Sequence, residues 1–412
     1  MRMLRFAFAA CAAAVFCGCA GQPQWTQFRL NPQHNAVVPG DLRVSWRLPT
    51  KGAYSASPTI VGSTLYLGNN DGTLYAIDVR NGSILWRYRT GNPLMSNPLI
   101  YRGLAIAGEG NSKYRTHRFA VGSGESTLFA VDARTGALRW SAPLRGSGMP
   151  TPAIVNGLLV QHNGGRELRA FEPESGAARY TVDMDSAAAM TAILPLGGDT
   201  FVTAGQDLNA LQARIAGTGA FVWVAIFPKR AWGILDCPPA TDGRFIFCDY
   251  PAPATGAPEY ATGRLAQEHA WAVDSRTGKF VWNVTLESGR VPKQNLAGIP
   301  LVVDDSVYLG SSVAPYVHAL ATQDGKVRWR LRVHGPVKGG LVAKDDVVYF
   351  GDYAGYLWAV DAKTGTSIGS KNMHTSFNVG SPAIDGRTLV IGSNTGDVIA
   401  IPLDVIQASR DR

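Results

Sequence analysis

Residues 57–86 read SPTIVGSTLYLGNNDGTLYAIDVRNGSILW, and this stretch decides the fold. Three short runs of alternating apolar and polar residues are separated by turns that contain glycine, and a fourth run ends at Trp86. Runs of this length joined by tight turns are typical of antiparallel strands. Asp78 and Gly82 frame the last turn, in which a carboxylate can accept backbone N–H bonds and glycine can adopt positive φ. The stretch therefore predicts one four-stranded antiparallel sheet.

The same pattern recurs along the chain. The sequence Asp-x-x-Thr-Gly-x-x-x-Trp returns at 132–140 and 274–282, and weaker copies lie at 172–180, 322–329 and 361–369. The final positions of the copies are spaced by 40 to 59 residues and number eight: Trp46, Trp86, Trp140, Tyr180, Trp223, Trp282, Trp329 and Gly369. A four-stranded repeat of this period is typical of a propeller blade. The predicted fold class is therefore all-β, an eight-bladed β-propeller of four-stranded antiparallel blades.

The two ends of the chain are expected to share one blade. Residues 381–400 supply a further set of strands after Gly369, but no outer strand follows them. The segment that ends at Trp46 is predicted to fill this place, because closure removes the open edge of an unfinished array. The propeller is predicted to span residues 41–404, with a lead-in over 19–40 and a tail over 405–412.

The first residues predict export. Arg2 and Arg5 precede an apolar run over 6–16 that is too short to span a bilayer. The sequence Phe-Cys-Gly-Cys at 16–19 resembles the bacterial lipobox, which implies a signal peptide over 1–18 and lipidation at Cys19. Ala20 stands where retention in the inner membrane uses Asp, so the resemblance implies a lipid anchor at the periplasmic face of the outer membrane. An ordinary signal peptide without lipid is the alternative.

Composition excludes some partners and suggests one covalent link. Removal of the two signal arginines lowers the formal charge from +8 to +6, and no run of Lys and Arg is present, so nucleic acid is not an expected partner. Only Cys237 and Cys248 remain in the body of the chain after the lipidated cysteine. They bracket a predicted hairpin and can form a disulfide if their Cα atoms lie within bridging distance. No further ligands accompany them at metal-site spacing.

The repeat resembles the pyrroloquinoline-quinone-type (PQQ-type) propeller repeat over roughly residues 25–402. Quinoprotein dehydrogenases share this repeat with outer-membrane assembly lipoproteins of the BamB type, and the lead-in Trp-Thr-Gln-Phe-Arg at 25–29 is similar to that of non-enzymatic members. The dehydrogenases bind PQQ over Ca²⁺. The loop over 110–115 resembles their calcium loop, but Lys113 stands where they have a ligating Glu. No vicinal Cys pair is present either. We therefore expect neither PQQ nor calcium as a cofactor, and no catalytic or metal-binding residue.

The resemblance favours a non-enzymatic scaffold lipoprotein that assists the assembly or insertion of outer-membrane β-barrel proteins. Its expected partners are other envelope proteins, with the β-barrel assembly machinery first among them. A PQQ-dependent periplasmic dehydrogenase is the first alternative, and an envelope polysaccharide-binding propeller is the second. The family's contact loops, together with a basic loop in blade 2, give these candidate partner-binding residues: Asp183, Asp185, Asp236, Arg115 and Arg118.

Two repeats carry insertions, around 109–126 and around 250–269. Insertions in loops often carry function. The first is polar and basic. The second is rich in Pro and Gly over 251–258, which predicts irregular structure there.

Overall fold

The computed structural model describes residues 24–110, 114–116, 119–122, 125–184, 191–205, 209–228, 238–253, 263–291 and 298–410. Side chains are described throughout these ranges except at 114–116, 119–122, 125 and 253. The described strands form eight sheets, seven of four strands and one of five, apart from a small added hairpin. This confirms the predicted eight-bladed β-propeller.

The first half of the chain forms four blades after two strands that belong to the last one. Those two strands are β1 (Val37–Val38) and β2 (Trp46–Pro49). Blade 1 contains β3 (Thr59–Val61), β4 (Thr64–Gly68), β5 (Thr73–Asp78) and β6 (Ile84–Arg89). Blade 2 contains β7 (Leu99–Tyr101), β8 (Leu104–Gly108), the added hairpin β9 (Tyr114–Thr116) and β10 (Phe119–Gly122), then β11 (Glu125–Asp132) and β12 (Leu138–Arg145). Blade 3 contains β13 (Ala153–Val155), β14 (Leu158–His162), β15 (Glu167–Phe171) and β16 (Ala178–Asp183). Blade 4 contains β17 (Leu194–Gly197), β18 (Thr200–Gly205), β19 (Ala210–Ile215) and β20 (Phe221–Ile226).

The second half completes the ring. Blade 5 contains β21 (Ala240–Thr241), β22 (Phe245–Pro253), β23 (Leu265–Asp274) and β24 (Phe280–Arg290). Blade 6 contains β25 (Leu301–Val303), β26 (Ser306–Gly310), β27 (Tyr316–Ala321) and β28 (Val327–Arg332). Blade 7 contains β29 (Val342–Lys344), β30 (Val347–Gly351), β31 (Tyr356–Asp361) and β32 (Ser367–Asn372). Blade 8 contains β33 (Ala383–Asp385), β34 (Thr388–Gly392) and β35 (Asp397–Pro402), and α1 (Leu403–Ala408) follows it.

The ends of the chain close blade 8 as the sequence predicts. Strand β2 pairs with β35 in antiparallel register, with Trp46 opposite Ala400. Strand β1 adds a fifth strand on the other edge, parallel to β33. The first strands of neighbouring blades contact one another and line the centre, whereas the fourth strands form the outer rim. Each blade therefore has one edge strand at the centre and one at the rim, and closure leaves no blade unfinished.

The repeat tryptophans join each blade to the next. The indole Nε1 of Trp46 donates a hydrogen bond of 2.8 Å to the carbonyl of Val79 in the next blade. The ring lies against Gly82, where an added Cβ would stand 2.8 Å from the ring and where φ is +76°. Only glycine fits this position, because it combines positive φ with the close approach of a ring. The same indole-to-carbonyl bond is made by Trp86, Trp140, Trp223, Trp282 and Trp329.

Blade 7 explains why one repeat lacks its aromatic residue. Gly369 occupies the tryptophan position, and a Cβ there would collide with the carbonyls of Ile406 and Gln407 in α1. The helix therefore takes the space that an aromatic ring fills in other blades. The predicted tail over 405–412 thus begins with helical residues that seal the junction of blades 7 and 8.

The lead-in runs inside the ring of inner strands. Trp25 exchanges two backbone hydrogen bonds of 2.7 and 2.9 Å with Ile100 of blade 2. Further along, the lead-in accepts hydrogen bonds from the backbone of five more blades. The acceptors are the carbonyls of Thr26 (blade 3), Pro32 (blade 5), Gln33 (blade 6) and Ala36 (blade 8), and the side-chain oxygen of Asn35 (blade 7). This single segment ties six of the eight blades together at the centre.

The prediction of irregular structure over 251–258 is wrong for its first residues. Strand β22 continues through Pro251 to Pro253 and pairs with β23, with Pro251 opposite Glu268. Proline is compatible with a strand where its missing N–H faces away from the ladder. The remaining residues of that insertion, 254–258, lie outside the described residues.

Candidate functional site

The outer rim differs sharply in chemistry from blade to blade. In each outer strand the residues one and three places after the repeat aromatic share one face, since side chains alternate along a strand. In blade 6 these positions hold Arg330 and Arg332, and both side chains are exposed. In blade 4 they hold Val224 and Ile226. The rim therefore offers a basic strip at one place and an apolar strip at another.

Strand β20 exposes an unusual amount of apolar side chain. The exposed fractions are 47% for Val222, 42% for Val224 and 61% for Ile226, and Phe221 at the start of the strand is 54% exposed. Its sequence, FVWVAI, contains no charged residue. A contiguous apolar patch at the surface of a soluble domain marks an interaction site more often than an isolated exposed residue does.

The opposite face of β20 is fixed by packing. Trp223 donates a hydrogen bond of 3.0 Å to the carbonyl of Ser275 in blade 5, and Ala225 is buried. Just beyond the strand, the ring of Phe227 packs edge to face on Trp271 with ring centroids 5.4 Å apart. Because this inward face is held, Val222, Val224 and Ile226 cannot turn inward. The sequence thus holds three aliphatic side chains in solvent.

Two further exposed apolar side chains lie at the start of β24 in the neighbouring blade 5. Phe280 and Val281 at the start of β24 are 42% and 40% exposed. Phe280 contacts the buried Phe227 of blade 4, with ring centroids 5.0 Å apart. We use the name blade-4 apolar rim for Phe221, Val222, Val224, Ile226, Phe280 and Val281. Among the described strands, β20 and β24 are each the last strand of their sheet.

Blade 6 has paired charges in the equivalent place. The guanidinium of Arg330 donates to Glu287 at 2.9 Å, and buried His318 lies 3.2 Å from the same carboxylate oxygen. Burial raises the pKa of Glu287, but the hydrogen bonds from His318 and Arg330 outweigh burial and hold that pKa below its ordinary value. This rim segment is thus built for solvation and ion pairing, not for apolar contact.

Few of the residues predicted as partner-binding can be placed. Asp183 is exposed at the end of β16, opposite Glu167 in the register of blade 3. Asp185, Asp236 and Arg118 lie outside the described residues, as does the side chain of Arg115. The lipidation residue Cys19 also lies outside them, and so does Lys113. Their roles therefore stay predictions.

The predicted disulfide also stays a prediction. Cys248 lies on β22 as a buried free thiol, and burial together with the charge of Asp249 raises its pKa well above the ordinary value. A thiol with a raised pKa is a poor nucleophile. Its predicted partner, Cys237, lies outside the described residues.

The centre of the propeller contains a buried cation. Arg29 is 1% exposed, and its Nη2 donates to the carbonyls of Leu341 at 2.5 Å and Pro382 at 3.2 Å. Burial lowers the pKa of Arg29 to about 9. Within the described part of the chain its Nε and Nη1 have no hydrogen-bond partner. Arg29 is therefore anchored by backbone carbonyls and not by an acid.

The described residues do not fit a calcium-bound quinone. Calcium needs six or more oxygen ligands, usually including carboxylates. Among the described side chains, no group of three or more His, Cys, Asp or Glu residues lies close enough to share a metal ion. The charged group of the lead-in that lies inside the ring is cationic Arg29, which would repel Ca²⁺.

Sequence reasoning missed Val222, Val224 and Ile226. A signal was available, because the outer strands of the other seven blades each include at least one Arg or Lys, whereas FVWVAI includes none. Tryptophan spacing locates the outer strands but does not compare how many charged residues each one contains. Counting those residues requires the first and last residue of each strand.

The fold is that of a PQQ-type propeller, and its outer rim carries an exposed apolar strand in blade 4. The family model described as outer membrane protein assembly factor BamB matches residues 107–231 and 266–404, and the chain belongs to this family. The model described as the glucose/ethanol/alcohol dehydrogenase β-propeller domain matches residues 33–141. The repeat therefore has both enzymatic and non-enzymatic relatives.

Individual relatives include both an enzyme and assembly factors. The chain is 24% identical to a tetrathionate hydrolase of Acidithiobacillus ferrooxidans, over 94% of this chain and 87% of the relative. It is 24% identical to outer membrane protein assembly factor BamB of Burkholderia pseudomallei, over 84% of each chain. The crystal structure of BamB from Moraxella catarrhalis superimposes with a TM-score of 0.63 at 17% identity, covering 87% of this chain and 99% of that one, which shows the shared fold.

A membrane-spanning helix is not found among the described residues, where α1 is six residues long.

Proposed function

We propose that this chain is a non-enzymatic scaffold that assists the assembly or insertion of outer-membrane β-barrel proteins through protein–protein contacts. The blade-4 apolar rim is the observation that carries the proposal. A soluble propeller that holds six apolar side chains in solvent gains by covering them with a partner, at about 25 cal/mol for each Å² of apolar surface removed from water. Membership of the BamB family supports an assembly protein as that partner.

The proposal includes location and anchoring. A lipid on Cys19 would hold the propeller at the periplasmic face of the outer membrane, where nascent barrel proteins arrive. Cys19 and Trp25, whose backbone pairs with blade 2, are six residues apart, so the anchor would keep the propeller close to the membrane. We propose no PQQ or calcium cofactor, because Lys113 stands where the dehydrogenases have a ligating Glu.

Cross-linking in living cells tests the partner. A photoreactive amino acid replaces Val224 in blade 4, and a second protein carries it at Arg330 in blade 6 as the matched control. We expect the blade-4 probe to trap a component of the β-barrel assembly machinery and the blade-6 probe to trap none. Expression in a bacterium that lacks its own BamB should also restore the level of outer-membrane barrel proteins. Recovery of only unrelated proteins at both positions, without restoration, would contradict the proposal.

A hydrolase is a second candidate function, because one buried carboxyl group has an unusual environment. Glu268 is 1% exposed, and its Oε2 accepts hydrogen bonds from the Ser311 hydroxyl at 3.0 Å and the Ser312 amide at 3.0 Å. Its Oε1 has no partner among the described residues, and burial raises the pKa of this carboxyl group above its ordinary value. A buried carboxyl group with a raised pKa is suited to acid–base catalysis.

Purified protein incubated with tetrathionate separates the two candidates. If the chain is a scaffold, the tetrathionate concentration measured by ion chromatography should stay constant. Parallel assays with alcohol or aldose substrates should show no dye reduction, with or without PQQ and Ca²⁺. Tetrathionate loss that disappears in Glu268→Gln would establish the hydrolase. Dye reduction that requires PQQ and Ca²⁺ would establish the dehydrogenase and would contradict the absence of these cofactors.

A further inference from the structure

The outermost strand of blade 4 is a sheet edge in the described part of the chain. Blade 4 has the strand order β17-β18-β19-β20, so among the described strands β20 pairs with β19 alone. The other side of such a strand presents a row of backbone N–H and C=O groups that can pair with another extended chain. The exposed face of β20 adds three aliphatic side chains at alternate positions, Val222, Val224 and Ile226.

The other outer strands carry features that discourage pairing. Charged side chains and proline on an edge strand are the usual protection against strand addition. The outer strands of blades 1, 2, 3, 5 and 6 each include at least one arginine, and that of blade 8 combines Arg47 with Pro49. The outer strand of blade 7 includes Lys371. Of the eight described outer strands, β20 is therefore the one without a charge or a proline.

The chain's own C-terminal end contacts one rim strand through its backbone. In blade 7, the amide of Ser370 on β32 donates a hydrogen bond of 3.1 Å to the carbonyl of Ser409, and Ser370 forms an isolated parallel bridge with Arg410. The backbone of that rim strand is therefore within reach of another chain segment.

We propose that β20 binds an extended segment of a partner protein as an added strand, and that this segment is uncharged and alternates apolar with polar residues. The proposal rests on the scaffold function and specifies the chemistry of its partner. Backbone pairing requires an extended segment, and the aliphatic row favours apolar side chains at every second position of the added strand. Strands that face lipid on one side have this alternation. A second copy of this chain is a weaker fit, because two molecules that each carry a net positive charge repel.

A peptide probe tests the inference with the purified full-length protein. The probe is a fluorescein-labelled peptide of about ten residues that alternates threonine and valine. A second peptide of the same length has proline at every third position and cannot extend a sheet. We expect fluorescence anisotropy to show binding of the first peptide and not the second.

Matched variants locate the binding surface. Val224→Lys should weaken binding of the alternating peptide about tenfold or more, because it places a charge in the apolar row. Thr181→Lys makes the same change at the equivalent exposed position of blade 3 and should leave binding unchanged. Val224→Ile keeps the apolar row and should also bind. Circular dichroism of each variant checks that the fold is retained.

Two results would overturn the inference. The first is peptide binding that is equally strong in Val224→Lys and the unchanged protein. The second is concentration-dependent dimerisation, measured by light scattering, that Val224→Lys abolishes, since that would assign β20 to a second copy. Either result can occur while in-cell cross-linking still recovers the assembly machinery. Conversely, the peptide can bind β20 while that cross-linking fails, so the two proposals fail separately.

Discussion

The outer strands of blades 4 and 6 occupy equivalent places and have the same anchor, yet they offer solvent opposite surfaces. Trp223 and Trp329 each donate an indole hydrogen bond to the next blade, at 3.0 and 2.8 Å. The exposed row around Trp329 consists of three arginines, whereas the row around Trp223 consists of Val222, Val224 and Ile226. Packing between blades therefore does not determine which residues occupy the exposed positions beside the tryptophan. These positions can differ between blades and so can determine which partner binds.

The largest expected effect comes from removing the shared anchor. Trp223→Ala and Trp329→Ala should each lower the free energy of unfolding by about 3 kcal/mol, because both delete a large packed ring and an interblade hydrogen bond. Urea denaturation followed by circular dichroism measures this. Similar losses would show that the two blades differ only in their outward rows. A loss confined to one blade would contradict the equivalence of the anchors.

Transfer of the apolar row to blade 6 should have a smaller but specific effect. A protein with Arg328→Val, Arg330→Val and Arg332→Val presents two uncharged outer strands. We expect it to bind about two alternating peptides per chain where the unchanged protein binds one, as measured by titration calorimetry. A stoichiometry that stays at one would show that an uncharged row is not sufficient for binding. Val222→Lys in the same background should remove one of the two sites.

Much of this comparison was accessible from sequence, and the remainder shows where sequence reasoning stops. The spacing of Trp46, Trp86 and their equivalents fixed the number of blades and the closure of the ring, because each mark corresponds to one interblade contact. The exception at Gly369 was visible, but its cause was not, since the helix that replaces the ring lies 34 residues further along the chain. Long-range packing of this kind leaves no local pattern.

The centre of the molecule and the rim were less predictable. The lead-in has no repeat of its own, so its hydrogen bonds to six blades could not be read from periodicity. The candidate partner residues came from resemblance to family loops, and among them only the side chain of Asp183 falls within the described residues. The blade-4 apolar rim depends on which face of β20 is packed against blade 5. A strand pattern alone does not say which of its two faces is covered.

The smallest expected effect concerns the ion pairs that distinguish blade 6. Glu287 has a lowered pKa in the folded protein, so its pairing with His318 and Arg330 contributes stability that is present above the unfolded pKa of about 4.5. That contribution is lost as pH falls from this value through the lowered pKa of the folded state. Glu287→Gln should therefore make unfolding less sensitive to acid below about pH 4.5, with a change of roughly 1 kcal/mol or less. Val224→Lys in blade 4 provides the control, because β20 has no titrating group. Thermal unfolding measured from neutral pH down to well below about pH 4.5 tests both proteins. An unchanged acid dependence in Glu287→Gln would mean that the blade-6 row is as insensitive to pH as the apolar row of blade 4.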